Sequence, residues 1–105
     1  MIVAFTSQGE SLDSLMDSTF GRTQYLVFWD SEANHIEIFN NSSNAEQAHG
    51  AGPRAAKELL DRNVELLITG NMPGGNAISI LSNAGIKIHV ENRQISLSEA
   101  FAQYC

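Results

Sequence analysis

The sequence predicts a three-layer α/β fold, with a mixed five-stranded sheet between helices. Two continuous apolar runs, 2–5 and 66–68, are typical of strands that are buried on both faces. Two aromatic and β-branched segments, 25–29 and 36–39, are separated by a polar turn and predict a hairpin. In the second half of the chain helical and strand patterns alternate, which indicates parallel strands joined by helices.

Three helices are expected after the hairpin. The first begins near Pro53, because proline fits a first turn, and Asn63 is its expected C-terminal stop. The second follows Asn76 as its N-cap, and the third begins with a capping box of Ser96 and Glu99. The residues expected to face the core are Ala55, Ala56, Leu59 and Leu60 in the first helix, Ala77, Ile78, Leu81 and Ala84 in the second, and Leu97, Phe101 and Tyr104 in the third.

The connections between these elements set the direction of each strand. The hairpin makes the second strand antiparallel to the first, and right-handed crossovers make the fourth and fifth strands parallel to the first. This order is that of a ribonuclease-H-like fold with one antiparallel strand and helices on both faces. Three polar loops, 6–19, 40–52 and 70–76, then leave the sheet at its carboxyl edge, where open α/β sheets bind ligands. We therefore expect the functional site where these loops meet.

Length and composition exclude several classes of protein. The chain has 105 residues, 43% hydrophobic and 17% charged, which suits a single domain spanning 1–105. A formal charge of −6 opposes binding to nucleic acid. Cys105 is the one cysteine, so neither a disulfide framework nor a multi-cysteine cluster motif is present. No segment resembles a signal peptide or a membrane span, so we expect a cytoplasmic protein with no membrane partner.

The first and second loops each offer one side chain that suits an anionic or metal-containing ligand. Arg22 follows Gly21 and can present its fork of donors to an oxyanion or a sulfide-rich group. The alternative is a surface arginine paired with Asp17. His49 precedes Gly50 and a helix N-terminus, where backbone N–H groups favour anions and an imidazole can ligate a metal. The alternative is a histidine that caps the helix or bridges to a loop carbonyl.

The third loop, 70–76, also runs from a strand to a helix N-terminus. Its glycines, Gly70, Gly74 and Gly75, predict a nest of backbone N–H groups that suits an anion. The Lys-Ser/Thr pair of a P-loop is absent, so nucleotide binding is weakly supported. Met72 is a candidate soft ligand, although a packing role fits it better.

The expected site lacks the groups that catalysis requires. Two-metal nucleases need clustered carboxylates at strand ends, and the core runs 2–5 and 66–68 carry none. No Ser/His/Asp arrangement occurs in a nucleophile context. His35 at the hairpin and His89 in the last strand are expected at the surface, and the terminal Cys105 is expected to be incidental. We therefore expect a protein that is not an enzyme.

The loop residues form an ordered set that resembles a known family. In chain order the motifs are Asp17-x-x-Phe20-Gly21-Arg22, His49-Gly50-x-Gly52, Gly70-Asn71 and Asn76-Ala77. The set is similar to that of the dinitrogenase iron–molybdenum cofactor biosynthesis family, and the resemblance covers nearly the whole chain. It implies a ribonuclease-H-like fold and a role in carrying the cofactor or its iron–sulfur precursor during nitrogenase assembly. The third loop looks one residue longer than the family's usual Gly-Pro-Asn turn.

The resemblance implies a carrier for an anionic metal–sulfur cluster in metallocluster assembly and nitrogen fixation. The implied cluster is the iron–molybdenum cofactor, its precursor or a related cluster, and the implied partners are its donor or acceptor proteins. The alternative is a regulatory or protein-interaction module without a metal, and an enzyme acting on nucleic acid or nucleotide is the least supported hypothesis. His49 is the implied metal ligand, and the other implied contacts are Arg22, Gly50, Gly52, Gly70, Asn71, Gly74, Gly75 and Asn76.

Overall fold

The computed structural model describes residues 1–104, and Cys105 lies outside the described residues. The strands are β1 (Ile2–Ser7), β2 (Tyr25–Asp30), β3 (His35–Asn40), β4 (Leu66–Thr69) and β5 (Lys87–Val90). The helices are α1 (Ser42–Ala45), α2 (Ala51–Asp61), α3 (Gly75–Asn83) and α4 (Leu97–Tyr104). Within this part of the chain, no helix has the length and apolarity that a membrane span requires.

The strands form one mixed sheet in the order β3-β2-β1-β4-β5. β2 pairs antiparallel with β1 and with β3, which confirms the predicted hairpin. β4 pairs parallel with β1 and with β5, as expected from the two helical crossovers. The mixed five-stranded α/β sheet is therefore confirmed, whereas the ribonuclease-H-like name stays a prediction.

Two apolar cores lie on opposite faces of the sheet. α2 and α3 cover one face, and α4 covers the other together with the loop residue Met16. Successive residues of β1 point into opposite cores, which explains why its sequence is continuously apolar. The first core includes Ala4, Leu26, Phe28, Ala56, Leu59, Leu67 and Leu81. The second includes Val3, Phe5, Val27, Ile68, Leu97 and Ala100.

Two helices begin at positions that differ from the prediction. α2 begins at Ala51, two residues earlier than expected, because Gly50 adopts a left-handed conformation with a φ of 78° and serves as the N-cap. α3 begins at Gly75 after the N-cap Gly74, so Asn76 lies inside the helix and its predicted N-cap role is wrong. A glycine has no side chain to accept a hydrogen bond, so the first turns of both helices lack a side-chain cap.

The other helix features mostly follow the sequence pattern. Leu60 and Ala84 were expected in the core but are exposed, because each lies at the margin of its apolar stripe, near the end of its helix. Asn63 adopts a left-handed conformation just after α2, as expected of a C-terminal stop. The predicted capping box is confirmed: the N–H of Glu99 donates to Ser96 Oγ at 3.2 Å, and the N–H of Ser96 donates to the Glu99 carboxylate at 3.3 Å.

A buried carboxylate joins the end of the sheet to α4. The side chain of Glu91 is 6% exposed and accepts hydrogen bonds from the Arg93 guanidinium and from the Tyr104 hydroxyl. These donors, Arg93 foremost, lower the pKa of Glu91 from 4.5 to about 2. The Tyr104 hydroxyl also lies 2.8 Å from Nε2 of His89, which is exposed as predicted.

Replacing Glu91 with glutamine is expected to remove a pH-dependent part of the free energy of unfolding. The folded-state pKa lies below the ordinary value of 4.5, so the carboxylate stabilises the fold above pH 4.5 and loses this effect as the pH falls towards about 2. Urea midpoints of wild type and Glu91→Gln should differ most near neutral pH and converge in acid. Glu10→Gln removes an exposed carboxylate and is the control. A difference between wild type and Glu91→Gln that stays constant across this pH window would contradict the prediction.

Candidate functional site

The three polar loops meet at the carboxyl edge of the sheet and form a cavity of about 540 Å³. The whole connection between β1 and β2, called the first loop from here on, contributes the wall segment 18–22. The second and third loops contribute 48–53 and 71–77. The structure thus brings segments that are distant in sequence to one place. Of the residues predicted to contact a ligand, those on the wall are Arg22, His49, Gly50, Gly52, Asn71, Gly74, Gly75 and Asn76.

Two helix N-termini open into this cavity. The first turns of α2 and α3 both contribute to the wall, and neither contains an acidic residue or receives a side-chain cap. Backbone N–H groups at a helix start have no partner within the helix and carry partial positive charge. The cavity therefore presents two sets of donors that suit an anion.

The cavity wall carries no carboxylate among the described residues. The chain has 12 acidic residues and a formal charge of −6, yet Arg22 and His49 are the titratable side chains on this wall. The side chains that line the cavity are therefore positively charged or neutral, although the whole protein is negatively charged, and this lining favours an anionic ligand at short range.

The side chain of Asp17 stabilises a turn within the first loop. Its carboxylate accepts hydrogen bonds from the backbone N–H and the hydroxyl of Thr19, at 3.0 and 2.9 Å, which makes an Asx turn. The chain then places Phe20, which is 4% exposed, in the core next to the cavity. Gly21 packs against the start of α2 so closely that a Cβ would lie 2.5 Å from the backbone nitrogen of Gly52.

Arg22 lines the cavity, but its two Nη atoms donate hydrogen bonds to backbone carbonyl groups of the second loop. Nη1 donates to the carbonyl oxygens of Ala45 and Gln47, both at 2.8 Å, and Nη2 donates to that of Ala48 at 3.3 Å. The guanidinium thus satisfies carbonyl groups at the end of α1, a helix that lies inside the predicted loop 40–52. The alternative of a surface pair with Asp17 is wrong, because none of the ion pairs among residues 1–104 joins them.

His49 lies on the cavity wall and is exposed. It does not cap α2, since that helix receives no side-chain cap. Its backbone carbonyl accepts a 2.7 Å hydrogen bond from Nη1 of Arg54. Among residues 1–104, no group of three His, Cys, Asp or Glu side chains is arranged to hold a metal ion. Within this part of the chain, His49 therefore belongs to no preformed three-ligand metal site.

The third loop forms the opposite wall, with two differences from the prediction. Gly70 lies off the main wall, because the first loop crosses it closely: a Cβ at Gly70 would lie 2.5 Å from Cα of Ser18. Met72 is 57% exposed, so its predicted packing role is wrong, and the neighbouring Pro73 is buried instead. The thioether of Met72 is therefore accessible on the cavity wall.

Three residues that shape the site were not identified from the sequence. The buried Asn41 donates from its side-chain amide to two carbonyl oxygens of the first loop, at 3.1 and 2.9 Å. Asn44 donates to the carbonyl of Ala51 at 2.9 Å, and Arg54 holds the carbonyl of His49. Asparagines in a polar loop and an arginine on a helix are typical of solvent-exposed positions, so no sequence signal distinguishes them.

The whole chain matches one protein family. The family model described as dinitrogenase iron-molybdenum cofactor covers residues 1–105. The apo form of the orange protein from Desulfovibrio gigas has a TM-score of 0.88 and 31% identity, over 98% of this chain and 85% of that one. A Thermotoga protein described as NifB-like and assigned to the DUF35 family has a TM-score of 0.83 and 32% identity, over 98% of this chain and 85% of that one. No curated protein matches the sequence.

Gly21→Ala is expected to destabilise the protein by about 1–3 kcal/mol, because the new Cβ would overlap the backbone of Gly52. Gly74→Ala is the matched control: Gly74 has extended backbone, and a Cβ there meets nothing within 4 Å, so the change should stay below about 1 kcal/mol. Urea unfolding measures both variants. Equal stability of the two variants would contradict the close packing of the first loop on α2.

Proposed function

The chain belongs to the dinitrogenase iron–molybdenum cofactor family, and we propose that it binds and carries an anionic metal–sulfur cluster in the loop cavity. The cargo is the iron–molybdenum cofactor, its precursor or a related cluster, and the setting is metallocluster assembly for nitrogen fixation in the cytoplasm. The observation that carries the proposal is a pair of uncapped helix N-termini on a wall without carboxylates.

The donors on the wall suit a sulfide-rich anion better than a bare metal ion. A structural metal site needs about four protein ligands, and among residues 1–104 His49 does not have two further His, Cys, Asp or Glu side chains beside it. A cluster brings its own sulfide ligands, so a single imidazole can complete the coordination of one exposed metal atom. The N–H groups at Gly52 and Gly75 would then donate to the sulfides at the cluster surface.

The size and lining of the cavity also fit a compact inorganic cluster. A volume of about 540 Å³ lies within the range of roughly 300–1,000 Å³ that is typical of ligand sites. The exposed thioether of Met72 offers a soft, polarizable surface to sulfide or to a soft metal. Its neighbour Pro73 is buried, which anchors the loop that presents it.

The proposed contacts suit a transient rather than a permanent occupant. The related orange protein from Desulfovibrio gigas is described in an apo form. A carrier must release its cargo, and binding through backbone N–H groups with one side-chain ligand permits release without breaking several metal–protein bonds.

We propose a carrier rather than an enzyme. A metal-bound water requires a cluster of ligands and a carboxylate general base requires Asp or Glu, and neither occurs on this wall among the described residues. The residues that are present can bind and orient a ligand, but they offer no group to move a proton other than His49.

Anaerobic titration with isolated iron–molybdenum cofactor tests the proposal. Amide NMR signals of Gly52, Gly75 and Asn76 should shift, and His49→Ala should weaken binding at least about tenfold, because it removes the proposed metal ligand. His35→Ala removes an exposed histidine from the hairpin and is the matched control. The absence of shifts at the cavity would overturn the carrier proposal and favour an interaction module that binds no metal.

Asn76→Asp is expected to change the stability of the protein and its affinity for an anion in opposite directions. The new carboxylate lies in the first turn of α3, so it should raise stability by about 0.3–1 kcal/mol while weakening the binding of the anionic cofactor about tenfold. Asn83→Asp makes the same change at the other end of α3, where it should lower stability slightly and leave the affinity for the cofactor unchanged. Thermal unfolding and the same titration measure the two quantities. Unaltered affinity in Asn76→Asp would contradict a role for the helix N-termini.

A further inference from the structure

Two arginines hold one row of backbone carbonyl groups beside the cavity. Arg22 donates to the carbonyl oxygens of residues 45, 47 and 48, and Arg54 donates to that of His49 at 2.7 Å. These carbonyls belong to the segment 45–49, which we call the clamped loop. The two guanidinium groups therefore restrain the loop at both ends, and His49 is its last residue.

Arg54 is not placed where the electrostatics of its own helix would favour a cation. Lys57, Arg62 and Arg93 each have a carboxylate partner, whereas Arg22, Arg54 and Lys87 form no ion pair among residues 1–104. Arg54 also lies near the start of α2, where the partial positive charge of the helix disfavours a cation. The position of Arg54 is better explained by the loop carbonyl that it holds.

Gly50 couples Arg54 to His49 sterically. Its φ of 78° turns the chain into α2, and a Cβ at this position would lie 3.0 Å from Nη1 of Arg54. The absence of a side chain lets the guanidinium pass over the turn and reach the carbonyl of His49. One hydrogen bond and one tight turn thus fix the backbone of His49 relative to α2.

We propose that Arg54 is a positioning residue for His49, and that Arg22 holds the other end of the clamped loop. This inference rests on the proposed function, because it takes His49 as the ligand of the cluster. Arg54 does not line the cavity, so its effect on the cargo passes through His49 and not through contact. A loop that is already held in its binding conformation loses less entropy when the ligand binds.

The first test needs no ligand. In ¹⁵N relaxation of the free protein, Arg54→Met should increase picosecond–nanosecond motion at His49 and Gly50, while the urea midpoint stays close to that of wild type. Lys57→Met is the matched control, because it removes one positive charge from the same helix, where Lys57 pairs with the exposed Asp61. Unchanged motion at His49 in Arg54→Met would overturn the proposal.

The second test is a double-mutant cycle with isolated iron–molybdenum cofactor as the probe. Arg54→Met should weaken binding about tenfold, and should add no further loss in the His49→Ala background, because both changes remove the same interaction. Arg54→Lys keeps the charge and one donor, so it should recover part of the loss. Additive losses would show that Arg54 acts on the cargo directly and would overturn the proposal.

The two tests separate this inference from the proposed function. If wild type does not bind the cofactor, the carrier proposal fails, while the relaxation result still decides whether Arg54 positions His49. If wild type binds and the losses are additive, the carrier proposal stands and the positioning role fails.

Discussion

The contact between the backbones of Gly21 and Gly52 is the constraint on which the geometry of the site depends. A Cβ at Gly21 would lie 2.5 Å from the backbone nitrogen of Gly52, so the first loop can approach α2 only at a glycine. On its other side Gly52 meets α3, since a Cβ there would lie 3.4 Å from Cβ of Ala77. This close packing places the N-termini of α2 and α3 side by side, and the cavity lies between them and the first loop.

The cavity favours anions because the N-termini of α2 and α3 lack both a side-chain cap and an acidic residue. A glycine N-cap has no side chain to accept a hydrogen bond from the first turn, and neither first turn has an acidic residue to balance the helix dipole. A formal charge of −6 opposes the approach of an anion at long range, whereas backbone N–H groups attract it at contact distance. In the proposed carrier, affinity would therefore depend on short-range hydrogen bonds and on one histidine, and this combination would favour a ligand of matching shape over anions in general.

Local patterns predicted the elements that depend on local physics. The apolar run of β1, the hairpin of β2 and β3, and the capping box of Ser96 and Glu99 were all identified correctly, because strand alternation and capping act over a few residues. The starts of α2 and α3 were not, because Pro53 and Asn76 satisfy the usual rules. Glycines at both N-caps override those rules, and this leaves the donors at the cavity uncapped.

The sequence by itself determined the mixed α/β sheet, the edge at which the loops meet and the family to which the chain belongs. Only the tertiary structure decided which residues lie on the cavity wall and what each of them contacts. Arg22 bonds to carbonyl groups of the second loop, and Gly70 is covered by the first loop. Such contacts join segments 23 to 52 residues apart, and no local pattern encodes them, because they depend on the packing of complete loops against one another.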